Sequence, residues 1–431
     1  MRNWYRFPFA QEKLLTTLTT LANRYDKACV CGCNVPGGFS EELIGGFGMA
    51  DEILPQENQD AFARLQEFTQ THRDWLFGHF SYDLKNQIEK GLRSEHPDGI
   101  GFPMLYFFRP RVVVKKLDAH TIEIGTATRA EADAFFAEML TVKPSDEVLL
   151  TPPAIAERTS REDYLNAVNR LKAHIARGDI YETNYCMEYY AEEVKLNPAA
   201  LHLRLCALSE APFAAYYKVG ERHLCCASPE RFLQKQKSTL RSQPIKGTRR
   251  RGSTPEEDEQ LRRELQADQK ERCENVMIVD LVRNDLSRSA VRGSVHVPEL
   301  FGVYTFKTVH QLISTVQAEL RADVHPVEAI KRAFPMGSMT GAPKVRAMQL
   351  CEETEHMKRG LYSGAVGYFT PDMDFDFNVV IRSIQYNADS GFLSLKAGSA
   401  ITAAAEAESE YEECRLKAAA MLRALGVEKS V

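Results

Sequence analysis

The chain has 431 residues, 44% apolar and 26% charged, with a formal net charge of −5. That balance excludes a disordered or fibrous chain and a broadly basic nucleic-acid surface, while leaving room for a local basic pocket. No apolar run reaches the roughly eighteen residues of a membrane span, the first residues lack a signal-peptide core, and the ten cysteines follow no disulfide-scaffold spacing. A cytoplasmic protein that binds neither membrane nor nucleic acid is expected.

In chain order, residues 110–117 and 121–126 are rich in β-branched side chains and predict a hairpin. Residues 130–140 predict a helix with Phe135, Phe136 and Leu140 on one face. Residues 143–161 carry prolines and polar side chains and read as a linker, dividing a segment 1–142 from a segment 155–431. Ser160 is placed to cap a helix whose Tyr164, Val168, Leu171 and Ile175 recur at helical spacing until Gly178. Strands are expected over 213–219, 364–369 and 377–384. A long helix should begin near Thr254, with Pro255 at its first position, and run to about Asp285. A last helix spans about 405–425. Without a regular βαβ rhythm, the pattern favours an α+β layered architecture.

Three constellations carry possible chemistry. Glu271 and Glu274, and again Glu410 and Glu413, are three apart on helices, so each pair shares a face. If the faces meet, a hard divalent cation such as magnesium would relieve the repulsion; the same spacing suits two solvated acidic faces. The loop Gly337-Ser-Met-Thr-Gly-Ala-Pro-Lys344 could bring backbone amides to an anion, or be a tight turn before a helix over 343–351. Lys246, in Pro244-Ile-Lys-Gly-Thr-Arg-Arg-Arg-Gly252, could be a buried nucleophile with a lowered pKa, or part of an exposed basic loop. Cys29, Cys31 and Cys33 share a strand face, but no second cluster completes a zinc site. Cys225 and Cys226 read as core.

At these motifs the chain resembles the chorismate-utilising enzymes. The resemblance is dense from about Asp163 onward. It rests on Gly178-Asp-Ile-Tyr, Ser228-Pro-Glu-Arg-Phe, Pro244-Ile-Lys-Gly-Thr-Arg, Glu274-Asn-Val-Met-Ile-Val-Asp, Gly337–Lys344, Arg359-Gly-Leu-Tyr-Ser-Gly, Ile381-Arg and Glu410-Tyr-Glu-Glu, and more weakly on Trp75–Asp83. It implies a two-sheet β-sandwich core with surrounding helices, to which the N-terminal segment contributes. It also implies Mg2+ held by Glu274 and Glu413 with Glu271 and Glu410 beside them. Lys246, Thr248 and Gln311 fall at catalytic positions. Ser338, Tyr362, Arg382, Gly398, Ala400 and Lys417 fall at substrate-binding positions, with Arg382 and Tyr362 on the enolpyruvyl carboxylate.

Lysine at position 246 is characteristic of the family's para-aminating branch. The stretch Ile180–Asn184 lacks the base lysine of the water-adding members. The resemblance therefore implies conversion of chorismate and ammonia to 4-amino-4-deoxychorismate, on the route to para-aminobenzoate and folate, through a covalent Lys246 intermediate. Ammonia is expected from a separate glutaminase subunit, because no glutaminase nucleophile elbow is visible. The alternatives are an anthranilate-forming component and a catalytically weakened chorismate-binding subunit. Departures motivate the last. Gln311 stands where the family has histidine, with His310 one residue earlier and so pointing elsewhere. Ala400 stands in the expected turn 397–400 where a second glycine is usual. The Leu-Leu-Glu-Ser inhibitor motif of anthranilate synthases is also missing.

Overall fold

The computed structural model describes residues 2–32, 43–56, 58–145, 147–148, 151–307 and 309–427. The fold is α+β: helices pack against a network of twenty antiparallel strands among the described residues. The strand Leu105–Lys116 is the corner of that network. Ile44–Ile53 pairs along one of its edges. On the other edge Leu105–Phe108 pairs with Leu76–Phe80, and Val113–Lys116 with Thr121–Thr126. Pro110 lies between the two pairings, where its missing amide hydrogen costs no ladder bond. A register shift between Met49 and Asp51 opposite it eases the bend.

Two wings leave this corner. One runs through Lys27–Cys31, Phe213–Val219, Arg222–Ser228, Ser383–Asn387 and Phe392–Ile401 to Glu182–Ala191. The other runs through Leu76–Phe80, Ala365–Phe369, Phe375–Asn378, Arg231–Gln236 and Thr239–Gln243 to Val309–Glu319. Alternate side chains of the wings, among them Cys29, Phe77, Phe108, Tyr217, Cys226 and Tyr368, form a core to which, among the described residues, strands and loops contribute and no helix does. Strand alternation explains this: Phe107 points the other way, into a second core with Phe80 and Phe377. The expected two-sheet sandwich therefore takes the form of two wings sharing a corner strand. Strands of the N-terminal segment pair with strands beyond residue 155 at two places.

Helices cover the outer faces. Gln11–Ala22, Arg129–Thr141, Arg161–Arg177, Pro198–Ser209 and Ala407–Ala424 pack on the first wing. Ala61–Thr71, Gln269–Ser287 and Pro326–Ala333 pack on the second. The helix capped by Ser160, which accepts from the Asp163 amide, ends at Gly178 with φ 83 as expected. The two acid-bearing helices belong to different layers, so only the tertiary fold brings them near each other.

Several expectations are corrected. The long helix is two, Pro255–Ala267 and Gln269–Ser287, because Asp268 takes an extended conformation and its carboxylate caps the second by accepting from the Glu271 amide. In Arg129–Thr141 the buried stripe is Ala132, Phe135 and Met139, and Leu140 faces solvent. The strand over 377–384 is broken, since Phe375–Asn378 and Ser383–Asn387 flank an irregular stretch in which Arg382 has φ 51. Residues 397–400 lie inside the strand Phe392–Ile401 rather than in a turn. Residues 337–342 form a 3-10 turn and a short strand before the helix Lys344–Thr354. In the linker, Ala156–Glu157 adds a short strand against Tyr189 and Tyr190. The nine described cysteines are free, and Cys33 lies outside the described residues. Among the described residues no helix is long and apolar enough to cross a membrane.

Candidate active site

Lys246 sits on the strand Ile245–Arg250, where the pairing with Val309–Glu319 shifts register between Ile245 and Thr248. Gly247 makes that bulge possible. Its φ is 95, and a Cβ there would lie 3.2 Å from both Glu271 and Leu265. A bulge re-aims its side chain, and Lys246 turns inward: its Nζ donates to Glu182 Oε1 at 2.9 Å, with the lysine side chain 13% exposed and the glutamate 3%. Burial opposes the lysine's charge, but Glu182, Glu274 and Glu413 overcome it and hold Lys246 above the usual lysine range. The lowered pKa expected of a buried lysine is not seen. Arg249 is engaged by Asp268 at 2.5 Å and by Glu271 at 3.6 Å.

Of the four predicted acids, Glu274 and Glu413 act on this lysine, and Glu271 and Glu410 act on those two. Burial raises the pKa of Glu271, with Glu274 beside it, and of Glu410, with Glu413 beside it. Burial also raises Glu274, helped by Glu182 and Glu413 and opposed by Lys246. Glu413 is the exception. Burial pushes it up, but the Lys417 ammonium at 2.5 Å, with Lys246 and Lys270, brings it below the usual range. Among the described residues no three acids, histidines or cysteines form a ready-made metal cage. The donor set still suits magnesium, which takes one or two carboxylates and fills its remaining positions with water and substrate oxygens. Carboxylates raised by burial and by a like-charged neighbour, as Glu271, Glu274 and Glu410 are, set the electrostatic condition a dication relieves.

Of the substrate-binding candidates, Arg382 and Lys417 lie beside Glu413. Arg382, held in the left-handed region, donates to the Lys417 carbonyl at 3.1 Å and lies beside Tyr362 and Glu413. Tyr362 is buried, which pushes its hydroxyl up. Lys417 Nζ also donates to the Gly398 carbonyl at 2.8 Å. Gly398 pairs with Cys186 and Ala400 with Asn184. A Cβ at 398 would meet Cys186 Sγ at 2.7 Å, so the close strand approach demands glycine there. Ala400, in regular strand, needs no glycine-like conformation.

Thr248 is exposed and pairs in register with Gln311, whose buried Oε1 has no partner among the described residues. His310 points away, its ring bonded to Asp258 at 3.0 Å and Thr305 at 2.9 Å, as the alternation of a strand requires. Lys344 is not free for an anion: its Nζ pairs with Asp285 at 2.7 Å.

Two residues with no role in the sequence reading emerge. Glu182 is one. Glu230, in Ser228-Pro-Glu-Arg-Phe, is the other. Ser338 Oγ donates to Glu230 Oε1 at 2.7 Å, and burial pushes this carboxyl up to about 7 against that bond and the charges of Lys246 and Lys417. A buried carboxyl that keeps its proton to neutrality is a proton donor beside an amine. The only signal in the sequence was its place inside a quoted motif. Arg359 holds these pieces in place. Fully buried, it pairs with Glu355 and donates to the carbonyls of Met339 and Asn184, both at 2.7 Å, locking the Ser338 turn to the strand that carries Glu182.

The site holds a buried amine, a buried carboxyl with a raised pKa, a carboxylate field and two cationic side chains suited to carboxylates. The chorismate binding enzyme family model matches residues 38–423. The chain is 45% identical over 284 residues to an aminodeoxychorismate synthase of Streptomyces griseus, covering 65% of this chain and 39% of that protein. It is 36% identical over 366 residues to anthranilate synthase component 1 of Thermus thermophilus, covering 81% of this chain and 77% of the relative. The solved structure of anthranilate synthase component I from Streptococcus pneumoniae superposes with a TM-score of 0.80 at 25% identity, over 90% of this chain and 94% of that one. The matched stretch spans only 29–39% of the aminodeoxychorismate synthases of rice, Arabidopsis thaliana and Streptomyces griseus.

Proposed function

The chain belongs to the chorismate-binding enzyme family, and we propose that it converts chorismate and ammonia to 4-amino-4-deoxychorismate, with ammonia supplied by a separate glutaminase subunit. The observation that carries this reading is the buried Lys246 amine, aimed inward by the Gly247 bulge and paired with Glu182.

Lys246 must pass its proton to Glu182, 2.9 Å away, against the field of Glu274 and Glu413 before it can attack. The free amine attacks the ring carbon ortho to the carboxylate. The ring double bonds shift, and the para hydroxyl leaves as water with the proton of Glu230. Ammonia then attacks the para carbon, the double bonds shift back and the Lys246 amine departs. Glu230 takes up a proton from the incoming nitrogen. The sum is chorismate plus ammonia giving 4-amino-4-deoxychorismate plus water, one difficult displacement divided in two. Arg382 and Tyr362 hold the enolpyruvyl carboxylate, with Ser338, Gly398, Ala400 and Lys417 lining the pocket. Thr248 and Gln311 edge the nucleophile's strand. Gln311 offers a hydrogen bond but no proton at neutral pH, so the acid's part falls to Glu230. A magnesium ion held by Glu274 and Glu413, with Glu271 and Glu410 beside them, would supply positive charge opposite the ring carboxylate. The nine free cysteines among the described residues suit a reducing cytoplasm.

A second reading is favoured by the Thermus relative and the Streptococcus structure, both named as anthranilate synthase components. Incubation with chorismate, magnesium and ammonium decides. A product of aminodeoxychorismate mass with no pyruvate supports the proposal; fluorescent anthranilate with released pyruvate overturns it.

A further inference from the structure

Glu182, Asn184 and Cys186 alternate along the strand Glu182–Ala191 and so share one face. Thr183 and Tyr185 point the other way, to Cys351 and Thr354. Glu182 meets Lys246 at 2.9 Å and Cys186 lies beside Tyr362. Asn184 therefore stands between the nucleophile and a side chain assigned to the enolpyruvyl carboxylate. Across the ladder, a Cβ at Gly398 would lie 3.1 Å from Asn184 Oδ1, so this oxygen faces a second substrate-binding candidate.

The backbone of Asn184 is fully used: its amide donates to the Thr340 carbonyl at 2.8 Å, and its carbonyl accepts from Arg359 at 2.7 Å. Its side chain is not. The residue is only 7% exposed, yet Nδ2 reaches only two sulfurs among the described residues, Met339 Sδ at 3.6 Å and Cys186 Sγ at 3.9 Å. Both are weak acceptors. Oδ1 has no hydrogen-bond partner among the described residues and, unlike Glu182 Oε2 and Gln311 Oε1, is not sealed from water. A buried amide with its donor and its acceptor both underused is matched to a ligand rather than to the protein.

The ligand groups follow from the placement and rest on the function proposed above. In chorismate, the carbon next to the one Lys246 attacks carries the ether oxygen of the enolpyruvyl group, and the carbon after it carries the para hydroxyl. The ether can only accept and the hydroxyl can donate. We infer that Asn184 is a binding residue for this pair, Nδ2 donating to the ether oxygen and Oδ1 accepting from the para hydroxyl. The amine that replaces the hydroxyl also donates, so the same oxygen serves substrate and product.

The test is calorimetric titration of the full chain, with magnesium, by two ligands that do not turn over. One is a dihydro analogue of chorismate without the double bond next to the para carbon, so that it cannot expel the hydroxyl. The other is the same analogue lacking the para hydroxyl. Asn184→Leu keeps the side-chain shape and both backbone bonds. It should weaken the hydroxylated analogue roughly ten-fold or more. Removing the hydroxyl should cost the wild type roughly five-fold in affinity and the variant nothing, a coupling that a structural role would not produce. Thermal melts report folding, and if Asn184→Leu does not fold, Asn184→Ala carries the same comparison. Wild-type affinity in a folded variant, or equal losses for both analogues, overturns the inference. Such a failure leaves the amination standing, because binding is read without turnover. A wild type that shows the coupling but converts chorismate to anthranilate overturns the amination alone, and one that binds neither analogue overturns both.

Discussion

Glu182 and Lys246 form a buried pair in which only one carboxylate oxygen is used: Oε1 accepts from the lysine at 2.9 Å, while Oε2 is buried without a hydrogen-bond partner among the described residues. The second oxygen is available to hold a transferred proton. The same carboxylate is the largest contributor to the raised pKa of Lys246.

Glu182→Gln should therefore lower the pKa of Lys246. Adduct formation needs the neutral amine, so the acid limb of its pH profile should move down by about one unit or more, while the maximum rate falls because the proton acceptor is gone. Rapid acid quenching across a pH series measures both. An unmoved acid limb would count against a proton passing between the two side chains.

Glu230 gives the opposite limb. Its folded pKa of about 7 lies above the usual carboxylate range, so the donor form is present below pH 7 and is lost as pH rises through it. Single-turnover loss of the para hydroxyl should decline above neutrality in the wild type. Glu230→Gln should slow that step by roughly 10²–10⁴-fold and abolish the decline. Retention of the decline in the variant would assign it to another group.

Turnover should require magnesium, and Glu274→Ala or Glu413→Ala should each reduce it by about 100-fold or more. Each loss also removes one of the charges around Lys246. Magnesium titrations of the wild type and both variants provide the check; full activity in excess chelator would remove the metal from the reaction.

Lys246→Ala should remove the covalent route, leaving little para-aminated product and some ortho-aminated product, since the freed space admits ammonia there. In the wild type, acid quenching should trap an adduct heavier by chorismate minus water on the peptide containing Lys246. Wild-type product formation by a folded Lys246→Ala protein, with no adduct in the wild type, would falsify the nucleophile's part.

Local features were legible in the sequence because their physics is local. Ser160 and Gly178 bracket their helix through capping and a left-handed φ, and the hairpin 110–126 follows from β-branched runs. The three-residue spacing of Glu271 and Glu274, and of Glu410 and Glu413, was enough to set each pair on one face. Local signals could not reveal that Asp268 interrupts the long helix, because a charged residue amid helix formers does not announce a cap. Nor could they reveal that residues 377–384 break at Arg382, whose backbone is left-handed and whose side chain bonds the Lys417 carbonyl on the last helix.

The sequence by itself determined the residue types at the site, the family resemblance and the acid pairs. The tertiary structure alone decided which charges share one low-dielectric space, because that depends on two wings closing at Leu105–Lys116 and on side chains from helices of different layers coming within each other's field. Lys246 illustrates the difference. Burial, which the sequence suggested, favours the neutral amine. The carboxylates of Glu182, Glu274 and Glu413, distant in sequence and brought in by the fold, outweigh that desolvation and keep the resting lysine charged.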